Sequence, residues 1–142
     1  MNKEEVFKSI SINPAFFLGT VDGDKPRVRG MLLYKADENG IIFHTASSKD
    51  LYAQVLKNKN AELCFNCNGT QIRISGQLEI IEDNALKDEI TEHPTRKFLK
   101  AWKESGELKD YYKDLAVFSL KNGIATTWTM ADNFAEKSYT NL

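Results

Sequence analysis

Neither sign of charge dominates this chain. Lys plus Arg number 19 against 20 Asp plus Glu, a net charge of −1. A protein that holds a polyanion by charge is clearly basic, so this balance argues against nucleic-acid binding. Long apolar runs are missing too: nothing approaches the ~20 residues that span a bilayer. The opening Met1-Asn2-Lys3-Glu4-Glu5 is charged and lacks the apolar core of a secretory leader. The expectation is a cytoplasmic protein without membrane contact. Cysteine is scarce, with only Cys64 and Cys67. Without a second pair or a histidine at ligand spacing, no metal site is expected. Both fall in Ala61–Cys67, which reads as a strand, where three residues span about 10 Å and alternate faces, beyond disulfide reach. They are therefore read as structural. Linkers, internal repeats and low-complexity segments are also absent, so one domain covering residues 1–142 is expected. No Ser/His/Asp constellation or carboxylate pair is recognisable, so hydrolase chemistry has no support and no residue is assigned as catalytic.

What is present is a strand-rich pattern. Glu4–Ser11 reads as a short helix with Val6, Phe7 and Ile10 on one face. Ala15–Val21 has strand length, and Asp22–Pro26 is dense in turn residues. The next strand runs from Arg27 to about Lys35, Ala36–Gly40 turns, and Ile41–Thr45 returns. Short connections predict an antiparallel meander in which the Arg27–Lys35 strand pairs with Ile41–Thr45. Ser48–Asn58 reads as a helix, Ala61–Cys67 as a strand, and Asn68-Gly69 as a hairpin turn. The following strand alternates most cleanly: Ile72, Ile74, Gly76, Leu78 and Ile80 against Gln71, Arg73, Ser75, Gln77 and Glu79. A strand of that length fits a curved barrel wall. Helices are expected at Asn84–Glu92 and Thr95–Glu104, with Phe98 and Trp102 on the buried face of the second. Leu115–Leu120 and Ile124–Met130 read as strands joined by an Asn122-Gly123 hairpin, and the polar tail from Ala131 as loosely held. The fold class is mainly β: a β-barrel with α additions.

Candidate chemistry gathers in three segments. Ile41–Asp50 brings an apolar strand into a turn crowded with Thr45, Ser47, Ser48 and Lys49, just where a helix begins. Short hydroxyl donors, free backbone N–H groups and one cation at a helix start suit an anion such as a phosphate. The competing reading is an N-cap by Ser47 or Ser48 beside an exposed lysine. Upstream, Arg27, Arg29 and Met31 share one face of a strand. Gly30 within it suggests that something approaches the backbone closely. Arginine supplies planar bidentate donors and Lys49 a point charge, which together suit one phosphate. Gln71 and Arg73 form a third polar element, facing either solvent, a ligand or a subunit. His44 reads as a structural histidine, His93 as a capping or surface residue, and Trp128 as core or interface.

These segments resemble the pyridoxamine 5′-phosphate oxidase-like flavoproteins, the FMN-binding split barrels. Phe16–Arg29 carries an apolar strand, a Gly/Asp turn and Pro26-Arg27-Val28-Arg29; His44–Asn58 is similar to the family's Thr-x-x-(Ser/Thr)-Lys segment; Gln71–Gly76 matches its long strand ending in Gly. The likeness is nearest to small bacterial members, including the nitroimidazole-resistance-like (NimA-like) proteins. Two positions depart from the pattern, Gly30 where proline is common and Gln71 where tryptophan is common. The resemblance implies a six- to seven-stranded antiparallel split barrel of FMN-binding type, and a homodimer with FMN at the subunit interface. It implies phosphate contacts from Arg29, Thr45, Ser48 and Lys49. The ring would lie along Arg29, Gly30 and Met31, with Gln71 and Arg73 near its edge. The expected function is an FMN-dependent oxidoreductase acting on a small molecule, with NADH or NADPH as candidate reductant. The alternative is a non-enzymatic flavin- or haem-binding store or sensor on the same barrel.

Overall fold

The computed structural model describes all 142 residues, Met1–Leu142. The first helix, α1 (Lys3–Ile12), begins on a capping box: Glu5 N–H donates to Asn2 Oδ1 and Asn2 N–H to Glu5 Oε2, each at 2.8 Å. It buries Val6 and Ile10. Strands β1 (Ala15–Asp22), β2 (Lys25–Leu32), β3 (Lys35–Asp37) and β4 (Gly40–Ala46) follow, then α2 (Asp50–Lys57), β5 (Asn60–Cys67) and β6 (Thr70–Ile80). A helical module comes next: α3 (Asn84–Glu92), a 3-10 turn (Pro94–Arg96), α4 (Lys97–Ser105) and α5 (Tyr111–Asp114). Strands β7 (Leu115–Trp128) and β8 (Thr140–Asn141) finish the chain. No helix is long and apolar enough to cross a membrane.

The strands form one antiparallel sheet in the order β2-β1-β5-β6-β7-β4-β3, with β8 on β7. Its two ends belong to one extended stretch, since residues 25–32 pair with β1 and residues 35–37 with β4. Between them, Tyr34 N–H donates to Ile42 O at 2.9 Å. The barrel is closed along that short ladder and split beyond it, where β2 and the end of β4 part. Inside, Phe16 packs on Phe43 and Phe65 with ring centroids 5.2 and 4.8 Å apart, within a cluster that includes Leu18, Leu63, Ile72, Ile74 and Leu78. Each such side chain contributes about 1.5–3 kcal/mol on full burial. A second cluster of Ile90, Leu99, Leu108, Tyr111, Leu115 and Val117 seats the helical module against β7.

Several expectations need correction. The arginine-bearing strand does not pair with Ile41–Thr45: β2 pairs with β1 alone, while β4 lies on β7 and β3. Asn122-Gly123 is not a hairpin, because β7 runs through it. In a type I′ turn both central residues take positive φ. Asn68 and Gly69 do so at 52° and 87°, but at the second site only Asn122 does, at 54°. The extra residue is absorbed as a bulge, with the β6–β7 register shifting between Ser75 and Gln77. Gly76 sits at that shift, where a Cβ would stand 2.6 Å from Lys121 O. The tail is tied down rather than loose: β8 pairs with Ile124 and Ala125, and Leu142 N–H donates to Gly123 O. On α4 the buried residue is Leu99, whereas Phe98 and Trp102 are exposed and pack edge to face on each other.

Candidate functional site

The split in the barrel collects the basic candidates. A cavity of about 770 Å³ opens between β2 and α2, lined by Arg27, Arg29, Gly30 and Met31 on one bank and by Thr45, Lys49, Asp50, Gln54 and Lys57 on the other. Four cations (Arg27, Arg29, Lys49, Lys57) face two carboxylates (Asp22, Asp50), a local excess of +2 within a chain of net charge −1. The outer edge of β2 has no strand partner, so part of its backbone remains open to the cavity.

Arg29 is the best-anchored of the cations. Its Nη1 donates to Leu18 O (3.2 Å) and Thr20 Oγ1 (2.7 Å), and Nη2 to Gln54 Oε1 (2.7 Å). The Thr20 hydroxyl in turn donates to Gln54 Oε1 at 2.7 Å, which fixes the fork. Guanidinium carries five N–H donors, so two remain for a ligand. Burial lowers the pKa of Arg29 and Asp50 raises it, and the group stays cationic. Arg27 pairs with Asp22 at 3.2 Å on an exposed surface, where such pairs contribute little. The Lys49 ammonium has no ion-pair partner. It occupies the N-cap of α2, which lacks a side-chain cap; Tyr52 N–H is taken by Lys49 O at 3.1 Å, and the N–H groups of Asp50 and Leu51 stay available.

A second cavity of about 910 Å³ continues from the first across the outer face of the sheet, sharing Gly30 and Met31 with it. Its walls are mostly apolar: Phe17, Leu32, Cys64 and Trp128, with Gln71 among them. Gly30 leaves this junction open. A Cβ there would find its nearest neighbour, Phe17 Cε1, only at 4.0 Å, so packing within the chain does not demand glycine.

The structure thus brings Arg27, Arg29, Gly30, Met31, Thr45 and Lys49 together, not through strand pairing but across the split, and sets Gln71 on the far side of the apolar cavity from Gly30 and Met31, with β1 and β5 between. Ser47, Ser48 and Arg73 line neither cavity. Neither serine caps α2: Lys49 N–H closes a turn on Ala46 O, and Ser47 N–H is taken by Asp114 O at 2.8 Å. Arg73 lies on the Gln71 side of β6, opposite Cys64, with its Nε buried and unpartnered. Burial pushes the Cys64 thiol up despite Arg73, which keeps it protonated at neutral pH. Cys67 lies three residues on, buried, its Sγ 3.7 Å from Ser9 O, and both cysteines are free. Gln54 and Lys57 escaped the sequence reading, although Lys49, Ala53 and Lys57 recur at the four-residue spacing of one helix face. Trp128, expected in core or interface, borders the apolar cavity opposite Gln71 and donates Nε1–H to Asn133 Oδ1. His44 and His93 line neither cavity. His44 Nε2 accepts from Arg96 Nε at 2.8 Å, and burial with that guanidinium pushes its pKa down to about 4.

The comparisons with known proteins agree with this geometry. The family model described as "Pyridoxamine 5'-phosphate oxidase" matches residues 3–128. Among curated relatives, the pyridoxine/pyridoxamine 5'-phosphate oxidase of Rhizobium meliloti is 28% identical over 130 residues, covering 86% of this chain and 63% of that protein. The enzyme of the same name from Allorhizobium ampelinum is 31% identical over 91 residues, 62% of this chain and 44% of that one. The chain therefore spans about half the length of the curated relatives it matches. Among solved structures, a NimC/NimA family protein from Clostridium acetobutylicum superposes with a TM-score of 0.70 at 20% identity, covering 98% of this chain and 92% of that one. A pyridoxamine 5'-phosphate oxidase-related, FMN-binding protein from Nostoc punctiforme gives 0.71 at 16% identity, covering 99% and 96%. A heme-binding protein from Mycobacterium smegmatis gives 0.63 at 12% identity, covering 94% and 55%. These solved structures share the split-barrel fold. With the family model matched over most of its length, this chain belongs to the pyridoxamine 5′-phosphate oxidase family.

Proposed function

We propose that this protein is an FMN-dependent oxidoreductase that acts on a small molecule and holds FMN at a homodimer interface. The observation that carries the reading is the joined pair of cavities, cationic at one end and apolar at the other, meeting at Gly30 and Met31. FMN has the same asymmetry, a phosphate dianion at one end and a planar tricycle at the other. Arg29, Thr45, Lys49 and the N–H groups of Asp50 and Leu51 at the start of α2 would hold the phosphate, with Arg27 and Lys57 raising the local potential. The Gly30–Met31 backbone would support the ring, with Phe17 and Trp128 as apolar walls and Gln71 as an adaptable donor and acceptor. When bound, FMN supplies hydride and electron transfer, while the protein contributes placement, electrostatics and exclusion of water.

The homodimer reading rests on the outer sheet face. Phe17, Val28, Leu32 and Ile124 are 62%, 71%, 41% and 42% exposed there, and Phe17 and Leu32 line the apolar cavity. An apolar patch of this kind marks an interaction surface. A second copy would cover it and roof the cavity, leaving the substrate and an NADH or NADPH reductant to enter at its margin. Neither histidine lines the groove, and of its haem-ligand types, Met31 and Cys64, burial raises the Cys64 thiol pKa and disfavours the thiolate that would ligate iron. The test is titration of the purified protein with FMN, followed by NAD(P)H oxidation with an electron acceptor. Micromolar or tighter binding with turnover is expected. Binding without turnover would make the protein a flavin carrier or sensor, and no binding would overturn the reading.

A further inference from the structure

Arg96 is 2% exposed, yet no carboxylate neutralises it. A buried guanidinium without a counter-ion is costly, and an apolar side chain would dock the helical module with less penalty. Its bonds show what it connects. Nη2 donates to Leu33 O at 2.9 Å and Leu32 O at 3.4 Å, Nε to His44 Nε2 at 2.8 Å, and Nη1 to Thr95 Oγ1 at 3.0 Å. The Tyr34 ring lies 5.5 Å from its centre.

These partners stand on opposite banks of the split. Leu32 ends β2 and borders the apolar cavity, whereas His44 precedes Thr45, which lines the cationic one. The β3–β4 ladder pairs Lys35 with Ile42, Ala36 with Ile41 and Asp37 with Gly40. At Tyr34 the register slips by one, its N–H bonding Ile42 O, which the ladder pairs with Lys35, and beyond it Leu32 and Leu33 make no backbone bond to β4. At those positions the guanidinium stands in place of a ladder.

We propose that Arg96 is a positioning residue that fixes the width of the slit, bridging its two banks where the β3–β4 ladder stops. The flat fork spans Leu32/Leu33 and His44 at once, keeping the banks from zipping together and from drifting apart. The neutral His44 ring serves as the acceptor on the β4 side. The effect on ligand affinity rests on the FMN reading, but the bridge itself can be tested without any ligand.

The experiment compares wild type, Arg96→Met, His44→Leu and His44→Gln by amide hydrogen exchange of the free proteins and by FMN titration. The Tyr34 amide, the last rung before the bridge, reports on the banks. In Arg96→Met and His44→Leu its exchange is expected to accelerate at least about tenfold, and FMN affinity to fall about tenfold. His44→Gln keeps an acceptor for Arg96 Nε and should restore both to within about twofold of wild type. A residue that only stabilised the fold would lower the melting temperature of all three variants without separating Leu from Gln. Wild-type exchange and affinity in folded Arg96→Met or His44→Leu would overturn the proposal, as would equal losses in His44→Gln and His44→Leu. Should Arg96→Met not fold, the two His44 variants decide. Should wild type bind no FMN, the functional reading fails while Tyr34 exchange still decides the bridge.

Discussion

Lys49 and Gly30 separate binding from folding, because neither is held in place by the rest of the chain. The Lys49 ammonium has no ion-pair partner, so Lys49→Ala should change stability by no more than about 0.5 kcal/mol. If it meets a phosphate, the same change weakens FMN by roughly 1.5 kcal/mol or more, about tenfold, as read by fluorescence titration. Gly30→Val fills the open junction of the two cavities. The variant should fold at least as stably as wild type, since glycine within a strand costs about 0.5–1 kcal/mol, yet lose FMN binding. Retention of FMN by the folded variant would mean that no ligand lies along that backbone. His44 makes a prediction about pH. Its folded pKa of about 4 lies below the unfolded value of 6.5. The unfolded chain therefore takes up the proton first, and the stability is present above pH 6.5 and lost as pH falls toward 4. The full difference is about 3 kcal/mol. Urea unfolding at pH 7 and pH 4, in wild type and His44→Gln, should show a smaller acid loss in the variant; equal losses would show that His44 is not the group.

The bulge at Gly76 is tested at the level of the element. Gly76→Ala would press a methyl against Lys121 O, 2.6 Å away, in the most extensively paired part of the sheet. A loss of about 1–3 kcal/mol is expected in denaturant unfolding. The sequence reveals this element only in part. Alternation over Ile72–Ile80 marks β6 because one face packs in the core, and Asn68-Gly69 marks its hairpin because both residues take positive φ. Asn122-Gly123 looks the same in one letter code and behaves differently, since β6 and β7 pair on both sides of it. Strand pairing is less legible still. Short turns suggest that β2 and β4 are neighbours, but the Lys25–Asp37 stretch bends across from β1 to β4 and opens the slit instead. The basic residues could be read as one site because they flank the same turn region. That they meet across a gap, with Gln54 and Lys57 supplied by α2, depends on tertiary closure that local pattern does not encode.

For the whole molecule, the outer sheet face and the joined cavities make linked demands. A second copy seated on Phe17, Val28 and Leu32 should give a particle of twice 16.1 kDa by analytical ultracentrifugation. Phe17→Glu should dissociate it and weaken FMN in the same step, because the roof of the cavity is lost. The division of labour between the two cavities is tested most directly by comparing FMN with riboflavin, which carries the same ring and chain but no phosphate. If the slit holds the phosphate and the apolar cavity the ring, FMN should bind at least about 100-fold more tightly than riboflavin. Lys49→Ala should narrow that ratio. Equal affinities for the two flavins, or a ratio unchanged in Lys49→Ala, would contradict it.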